Sequence, residues 1–220
     1  MTEISFQINP RFWTIRRPHL YRHLEKQYVD LFFERGILRL SSFARFSKHK
    51  DEQRFDANEG RGVVTHMTDE GGGQTIMVAA ALGENAYALS SSLFYKAATG
   101  TDFNTDSGFR INDSVEFAAA IARELPFFAG GMEGPCIYQS RPMLHRDYGQ
   151  LGQNGQIDFQ KDLKMNELCF LKSDRYTTQC EYRILWATSR KTDEFIDVHC
   201  PDAVKFCTRF EDLIGETQPL

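Results

Sequence analysis

The stretch His19-Leu20-Tyr21-Arg22-His23-Leu24, then Glu25 to Arg35, Gly36 and Ile37-Leu38-Arg39-Leu40-Ser41-Ser42, decides how the rest of this chain is read. The first six residues alternate side-chain character with the two-residue period of a short strand. From Glu25 to Arg35 the apolar residues Tyr28, Val29, Leu31, Phe32 and Phe33 predict a helix, and Gly36 stops it. Ile37–Ser42 reads as a second strand. Outward from here the strand–helix–strand pattern does not repeat. Arg61–Met67 and Gln74–Leu82 predict a hairpin around Gly71-Gly72-Gly73, and Ala86–Phe94 another strand. Phe109–Asn112 reads as a short strand. Asp113 then has the character of an N-cap, with Glu116 completing a capping box for a helix through Leu125. Further strands are expected near 135–140, at Glu167–Lys172 and at Glu181–Ala187, with a closing helix from about Pro201 to Ile214. Lys48–Arg61 is polar and reads as an exposed loop. Residues 145–165, rich in Gln, Asp and Gly, read as a mobile loop or insertion. Many strands, a few helices and no regular βαβ alternation predict one α+β domain over residues 1–220, with a mixed or antiparallel sheet core and a few flanking helices.

The composition agrees with a globular protein: 220 residues, 41% hydrophobic and 25% charged, with 18 phenylalanines to fill a core. No stretch approaches the roughly 20 apolar residues that span a bilayer, so no membrane association is expected. The start Met1-Thr2-Glu3-Ile4-Ser5-Phe6 lacks the basic-then-apolar order of a secretion signal. The cysteines are Cys136, Cys169, Cys180, Cys200 and Cys207, odd in number and without Cys-x-x-Cys spacing. A disulfide framework and a zinc knuckle are thus disfavoured, and thiols in a reducing cytoplasm are the expectation. The net charge of −4 hides an asymmetry. Residues 11–54 hold eleven Lys/Arg against five Asp/Glu, a local +6, which leaves −10 on the remainder. Such a basic quarter suits phosphates of a nucleotide or a nucleic acid, or is simply a solvated mixed-charge face.

The chain has no Gly-x-Gly-x-x-Gly, no phosphate-loop Gly-Lys-Ser/Thr, no His-Glu-x-x-His and no Gly-x-Ser-x-Gly. Three stretches remain. In Leu20-Tyr21-Arg22, alternation puts Arg22 on the face of Leu20 and Leu24, where a guanidinium needs an anionic partner: a pyrophosphate, or an internal carboxylate. In Ala88-Leu89-Ser90-Ser91-Ser92-Leu93, small residues with hydroxyls share one face, as a close approach to the backbone or a solvent-facing edge would require. In Gln179-Cys180-Glu181-Tyr182-Arg183-Ile184-Leu185-Trp186, the residues Tyr182, Ile184 and Trp186 form an apolar face, with Gln179, Glu181 and Arg183 opposite. A carboxylate there can accept a sugar hydroxyl and stabilise nearby positive charge, or form a surface pair with Arg183.

In order, Tyr21-Arg22 on the first strand, Ser90-x-Ser92, and Gln179-x-Glu181 entering a late strand resemble the Arg–Ser–Glu class of ADP-ribosyltransferases, the group of the cholera-toxin-type enzymes. The helix ending Phe32-Phe33-Glu34-Arg35-Gly36 extends the likeness. Leu38-Arg39-Leu40-Ser41-Ser42-Phe43 and Cys180-Glu181-Tyr182-Arg183 are also similar to a broad bacterial group of poorly characterised domains, some of whose relatives act in toxin–antitoxin and phage-defence systems. The likeness covers three short motifs, and Ser91 stands where that class often has threonine. It implies NAD as substrate, with Arg22 on the phosphates and Tyr21 beside it in the cofactor-binding motif. Ser90 and Ser92 would hold the nicotinamide–ribose end and orient the glutamate. Glu181 would bond a ribose hydroxyl and stabilise the oxocarbenium-like transition state, with Gln179 facing the acceptor. Tyr21, Tyr28 and Phe94 are the candidates to stack on nicotinamide. The acceptor expected is nucleic acid or protein, and the implied setting is a cytoplasmic toxin or anti-phage effector, with an antitoxin protein as a further partner. Two other readings stand beside it: a non-enzymatic binding module with a degenerate site, and a metal-dependent nuclease using Asp51, Glu52, Asp56 and Glu59.

Overall fold

The computed structural model describes residues 17–42, 45, 61–68, 75–95, 105, 107–141, 143–148 and 165–213. The opening unit is β1 (Leu20–His23), α1 (Lys26–Arg35) and β2 (Ile37–Ser42). Val29 and Phe32, one helical turn apart, are the buried face of α1. Gly36 ends the helix at φ 64°, and its N–H bonds the Phe32 carbonyl at 2.8 Å. A Cβ there would lie 2.6 Å from the Pro201 backbone, so both conformation and space demand glycine.

Two strands form a hairpin, β3 (Arg61–Thr68) and β4 (Thr75–Ala81), paired antiparallel from Met67↔Thr75. The glycines expected at its turn lie outside the described residues. Then come β5 (Ala86–Ser92), β6 (Gly108–Ile111) and α2 (Ser114–Glu124). The Asp113 carboxylate accepts from the N–H groups of Val115 and Glu116, both at 3.1 Å, and so caps α2. The chain continues through β7 (Phe128–Pro135), β8 (Ile137–Gln139), β9 (Met143–Tyr148), β10 (Leu171–Ser173), β11 (Glu181–Thr188), β12 (Phe195–His199), α3 (Pro201–Val204) and β13 (Cys207–Arg209). Short 3-10 helices occupy Met165–Phe170, Asp174–Gln179 and Phe210–Leu213.

Eight strands make the main sheet, in the order β12-β2-β5-β1-β6-β13, with β11 paired along β5 and β7 outside β11. All its pairings are antiparallel. A three-stranded sheet, β4-β3-β9, and a parallel pair, β10-β8, complete the strands. The fold is therefore α+β, as expected.

The main core lies on one face, where Leu20, Phe32, Phe109, Phe117, Ile121 and Trp186 join the sheet to the helices. The Trp186 indole donates to the Ala118 carbonyl at 3.0 Å and ties β11 to α2. A smaller cluster on the other face holds Ala86, Ala88, Cys169, Phe170 and Leu185. Strands β5 and β11 are consequently buried on both faces, which is the setting of the site below.

Four expectations are corrected. Glu167–Lys172 is not one strand. Leu168, Cys169 and Phe170 lie in a 3-10 helix, and the strand begins only at Leu171. Pro201–Ile214 is not one helix: α3 ends at Val204, Cys207–Arg209 is recruited by the open edge of β6, with Cys207 against Ile111, and Phe210–Leu213 is a 3-10 helix. Residues 145–165 begin as strand β9, parallel to β3, and 149–164 lie outside the described residues. Strands β7 and β12 were not anticipated: β7 carries Gly130, Gly131 and Gly134, poor strand formers that are tolerated in a strand paired, among the described residues, with β11 alone. The polar loop 48–60 and its acidic residues Asp51, Glu52, Asp56 and Glu59 lie outside the described residues, as do Arg11 and Arg16.

Candidate active site

Ser90 is held from both ends. Strand β11 occupies one edge of β5 from Ala86 to Ser92, so β2 and β1 share the other edge. There β2 takes Tyr87 and Ala88, and β1 takes Ser92 opposite Tyr21. Among the described residues no strand meets Leu89, Ser90 and Ser91 on that edge: the sheet forks. A carbonyl facing such a gap needs a donor. The Arg22 guanidinium supplies it, 2.5 Å from the Ser90 carbonyl. The Ser90 hydroxyl, in turn, donates to Glu181 Oε1 at 2.7 Å.

Register explains this meeting. In an antiparallel pair, opposed residues share a face. Glu181 stands opposite Ser92, Arg183 opposite Ser90 and Leu185 opposite Ala88. The small residues of β5 thus leave space for the large ones of β11: the group that approaches the serine strip is β11 itself. Alternation from the Tyr21–Ser92 pair sets Tyr21 on the serine face and Arg22, with Leu20, on the other. Arg22 and Glu181 therefore reach Ser90 from different sides, one at its backbone and one at its side chain.

Glu181 is buried, not part of a surface pair. Its Oε1 also accepts from Arg183 Nε at 2.6 Å, and its Oε2 is paired with the Lys172 ammonium. The exposures of these side chains are 7% for Glu181, 8% for Lys172 and 1% for Arg183. Arg183 is fixed further by a 2.6 Å bond from Nη1 to the Cys169 carbonyl. Burial alone would raise the Glu181 pKa, but Arg183 and Lys172 beside it outweigh that and hold it well below the usual carboxylate range. The backbone is fixed as well. The Glu181 N–H donates to the Tyr138 hydroxyl oxygen at 2.7 Å, and its carbonyl accepts from Cys136 N–H at 2.8 Å. Burial raises the pKa of Tyr138 above that of an ordinary phenol.

The other expected residues are placed as follows. Ser92 donates to the Gln179 carbonyl at 2.9 Å and accepts from Phe94 N–H at 3.3 Å, so its hydroxyl joins two backbone segments. Gln179 does not share a strand with Glu181. Cys180 turns left-handed at φ 44°, ψ 51°, and ends the preceding 3-10 helix, so β11 starts only at Glu181. The Gln179 side chain is buried, 7% exposed, which corrects the expectation that alternation carries it into the same space as Glu181. The Tyr21 ring lies 5.7 Å from Tyr95 and 6.4 Å from Phe210. Tyr28 and Phe94 are exposed. Lys172 and Tyr138 were missed by the sequence reading: each sits on a three-residue strand of the separate β10-β8 pair, with no pattern to mark it. Arg183 carried a signal, its i,i+2 spacing from Glu181.

The basic N-terminal quarter is partly neutralised in place. Arg39 makes a bidentate pair with Asp197 at 2.7 Å, Lys26 pairs with Asp30 and Arg17 approaches Asp113. Among the described residues no group of His, Cys, Asp and Glu could hold a metal ion. No helix there is long and apolar enough to cross a membrane. No protein-family model, no curated protein and no solved structure matches this chain. The functional reading therefore rests on the geometry around Ser90 and Glu181.

Proposed function

We propose that this chain is an ADP-ribosyltransferase that uses NAD as substrate. The observation that carries the reading is the meeting of three residues far apart in sequence, with Arg22 on the carbonyl of Ser90 and Glu181 on its hydroxyl, beside a fork in the sheet. In this reading Arg22, next to that fork, offers its guanidinium to the phosphates of the dinucleotide. The hydroxyl of Ser90 keeps Glu181 aimed. Oε2 of Glu181 accepts a ribose hydroxyl and stabilises the oxocarbenium-like sugar as the glycosidic bond breaks and nicotinamide leaves with the bonding electrons. The nucleophile of the acceptor then bonds to that anomeric carbon and gives up its proton. Nucleic acid is the preferred acceptor because of the local +6 in residues 11–54, and protein is the alternative. The setting that goes with it is a toxin or anti-phage effector restrained by an antitoxin protein.

A second reading is favoured by a specific observation. Glu181 has its charge compensated on the spot by Lys172 and Arg183, as a purely structural ion cluster would. The chain is then a binding module without turnover. Incubation with adenylate-labelled NAD and total cell extract separates the two. Transfer predicts nicotinamide release and a labelled macromolecule, lost in Glu181→Gln and assigned to its class by nuclease and by protease. No nicotinamide release with any extract leaves the binding module.

A further inference from the structure

We propose that Lys172 is a latch on the candidate site: its ammonium lies against the one carboxylate oxygen of Glu181 with a site left for a substrate hydroxyl, and its departure frees the charge of that oxygen for turnover. The proposal rests on the ADP-ribosyl-transfer reading. A carboxylate oxygen has two lone pairs for hydrogen bonding. Both sites on Oε1 are taken, by Ser90 at 2.7 Å and by Arg183 Nε at 2.6 Å. Only Oε2 has a site left, because Lys172 takes one of its two. The carboxylate and that ammonium are both nearly buried, at 7% and 8% exposure. The charge argument runs the same way. A carboxylate stabilises a cationic transition state through its field, and a cation in contact with it cancels most of that field in a dry site.

Of the two cations, Lys172 sits on the shorter and more peripheral element. Arg183 is 1% exposed, lies inside the eight-residue strand β11 and is tied by a second bond to the Cys169 carbonyl. Lys172 lies on the three-residue strand β10, between two 3-10 helices and outside the main sheet, and its ammonium sits 5.0 Å from the Tyr176 ring centre. A flexible four-carbon stem lets that ammonium swing to another anion while the strand stays in place. A phosphate of the entering dinucleotide has the chemistry to draw it off.

The test is nicotinamide release from saturating NAD by the full chain. Lys172→Met keeps the stem beside Tyr176 and leaves Glu181 its bonds to Ser90 and Arg183. It is expected to turn over NAD about tenfold faster than the unaltered chain, the rate equivalent of one hydrogen-bonding site freed for the transition state. Lys172→Arg keeps the cation and should show no such gain. Adding Glu181→Gln to Lys172→Met returns turnover to background, so the gain passes through Glu181 and not through a loosened fold. Should Lys172→Met not fold, Lys172→Gln, which removes the charge and keeps a donor, decides by the same comparison. An active unaltered chain with Lys172→Met equal or slower overturns the latch alone. Folded proteins that all release no nicotinamide overturn the transfer reading and the latch with it.

Discussion

Replacing Glu181 by Gln leaves Lys172 and Arg183 facing a neutral amide. Together the three side chains carry +1, and the substitution raises this to +2 where their exposures are only 7%, 8% and 1%. Removing one partner of a buried ion pair costs about 3–5 kcal/mol, because the charge left behind has been stripped of water. That is a large share of the roughly 5–15 kcal/mol that holds a domain together. Glu181→Gln should therefore show a clearly lowered urea midpoint with an unchanged slope. Lys172→Met moves the charge the other way, to zero, and Glu181 keeps Arg183 and Ser90, so its cost should be smaller, about 1–2 kcal/mol. The double variant restores +1, and the pair should show a favourable coupling of about 1–3 kcal/mol in a double-mutant cycle. Urea unfolding of the four proteins at pH 7 measures all of this. A cost below about 1 kcal/mol for Glu181→Gln, or a larger cost for Lys172→Met, would refute the buried network as the reason for the strand's polar residues.

The same carboxylate sets a pH dependence. Its folded pKa lies below the unfolded one, so its contribution is present above about pH 4.5 and is lost as pH falls through the folded value. Unfolding followed between pH 7 and pH 3 should show a shallower acid decline in Glu181→Gln than in the unaltered chain. Ser90→Ala removes one hydrogen bond to that carboxylate and should cost about 1–2 kcal/mol, with Arg22 still able to bond the backbone carbonyl; loss of NAD turnover beyond this stability effect marks its orienting role. Gly36→Ala places a methyl 2.6 Å from the Pro201 backbone at φ 64° and should lower stability by at least about 1–2 kcal/mol, whereas a neutral result in thermal melts would mean that α3 does not abut the helix end.

The elements best read from sequence were those whose signals were local. Gly36 after an apolar helix face, Asp113 before α2 and the alternation Tyr182, Ile184, Trp186 each declare themselves within a few residues, and each stands where expected. What escaped was set by neighbours. Cys207–Arg209 reads as a continuing helix until β6 offers an unpaired edge, and Gln179 reads as part of β11 until the left-handed turn at Cys180 breaks the alternation. The polar residues of β11 are the sharper case. Alternation of Glu181 and Arg183 with apolar residues is what a half-solvated strand would show, yet both are buried because a second layer, Cys169 and Phe170 with Lys172 on β10, covers that face. The sign of this was present in the partner strand and not in β11. Ala88, Ser90 and Ser92 are small where Leu185, Arg183 and Glu181 stand opposite them, so the two strands fill one layer between them. That complementarity becomes visible only when the register is known, because each strand alone is consistent with either a ligand or solvent in the space its partner fills. The same register narrows the chemistry. With one oxygen of Glu181 saturated by Ser90 and Arg183, any reactive role for it must run through the other, and that makes Lys172, a residue with no motif around it, the side chain on which the reading of this site turns.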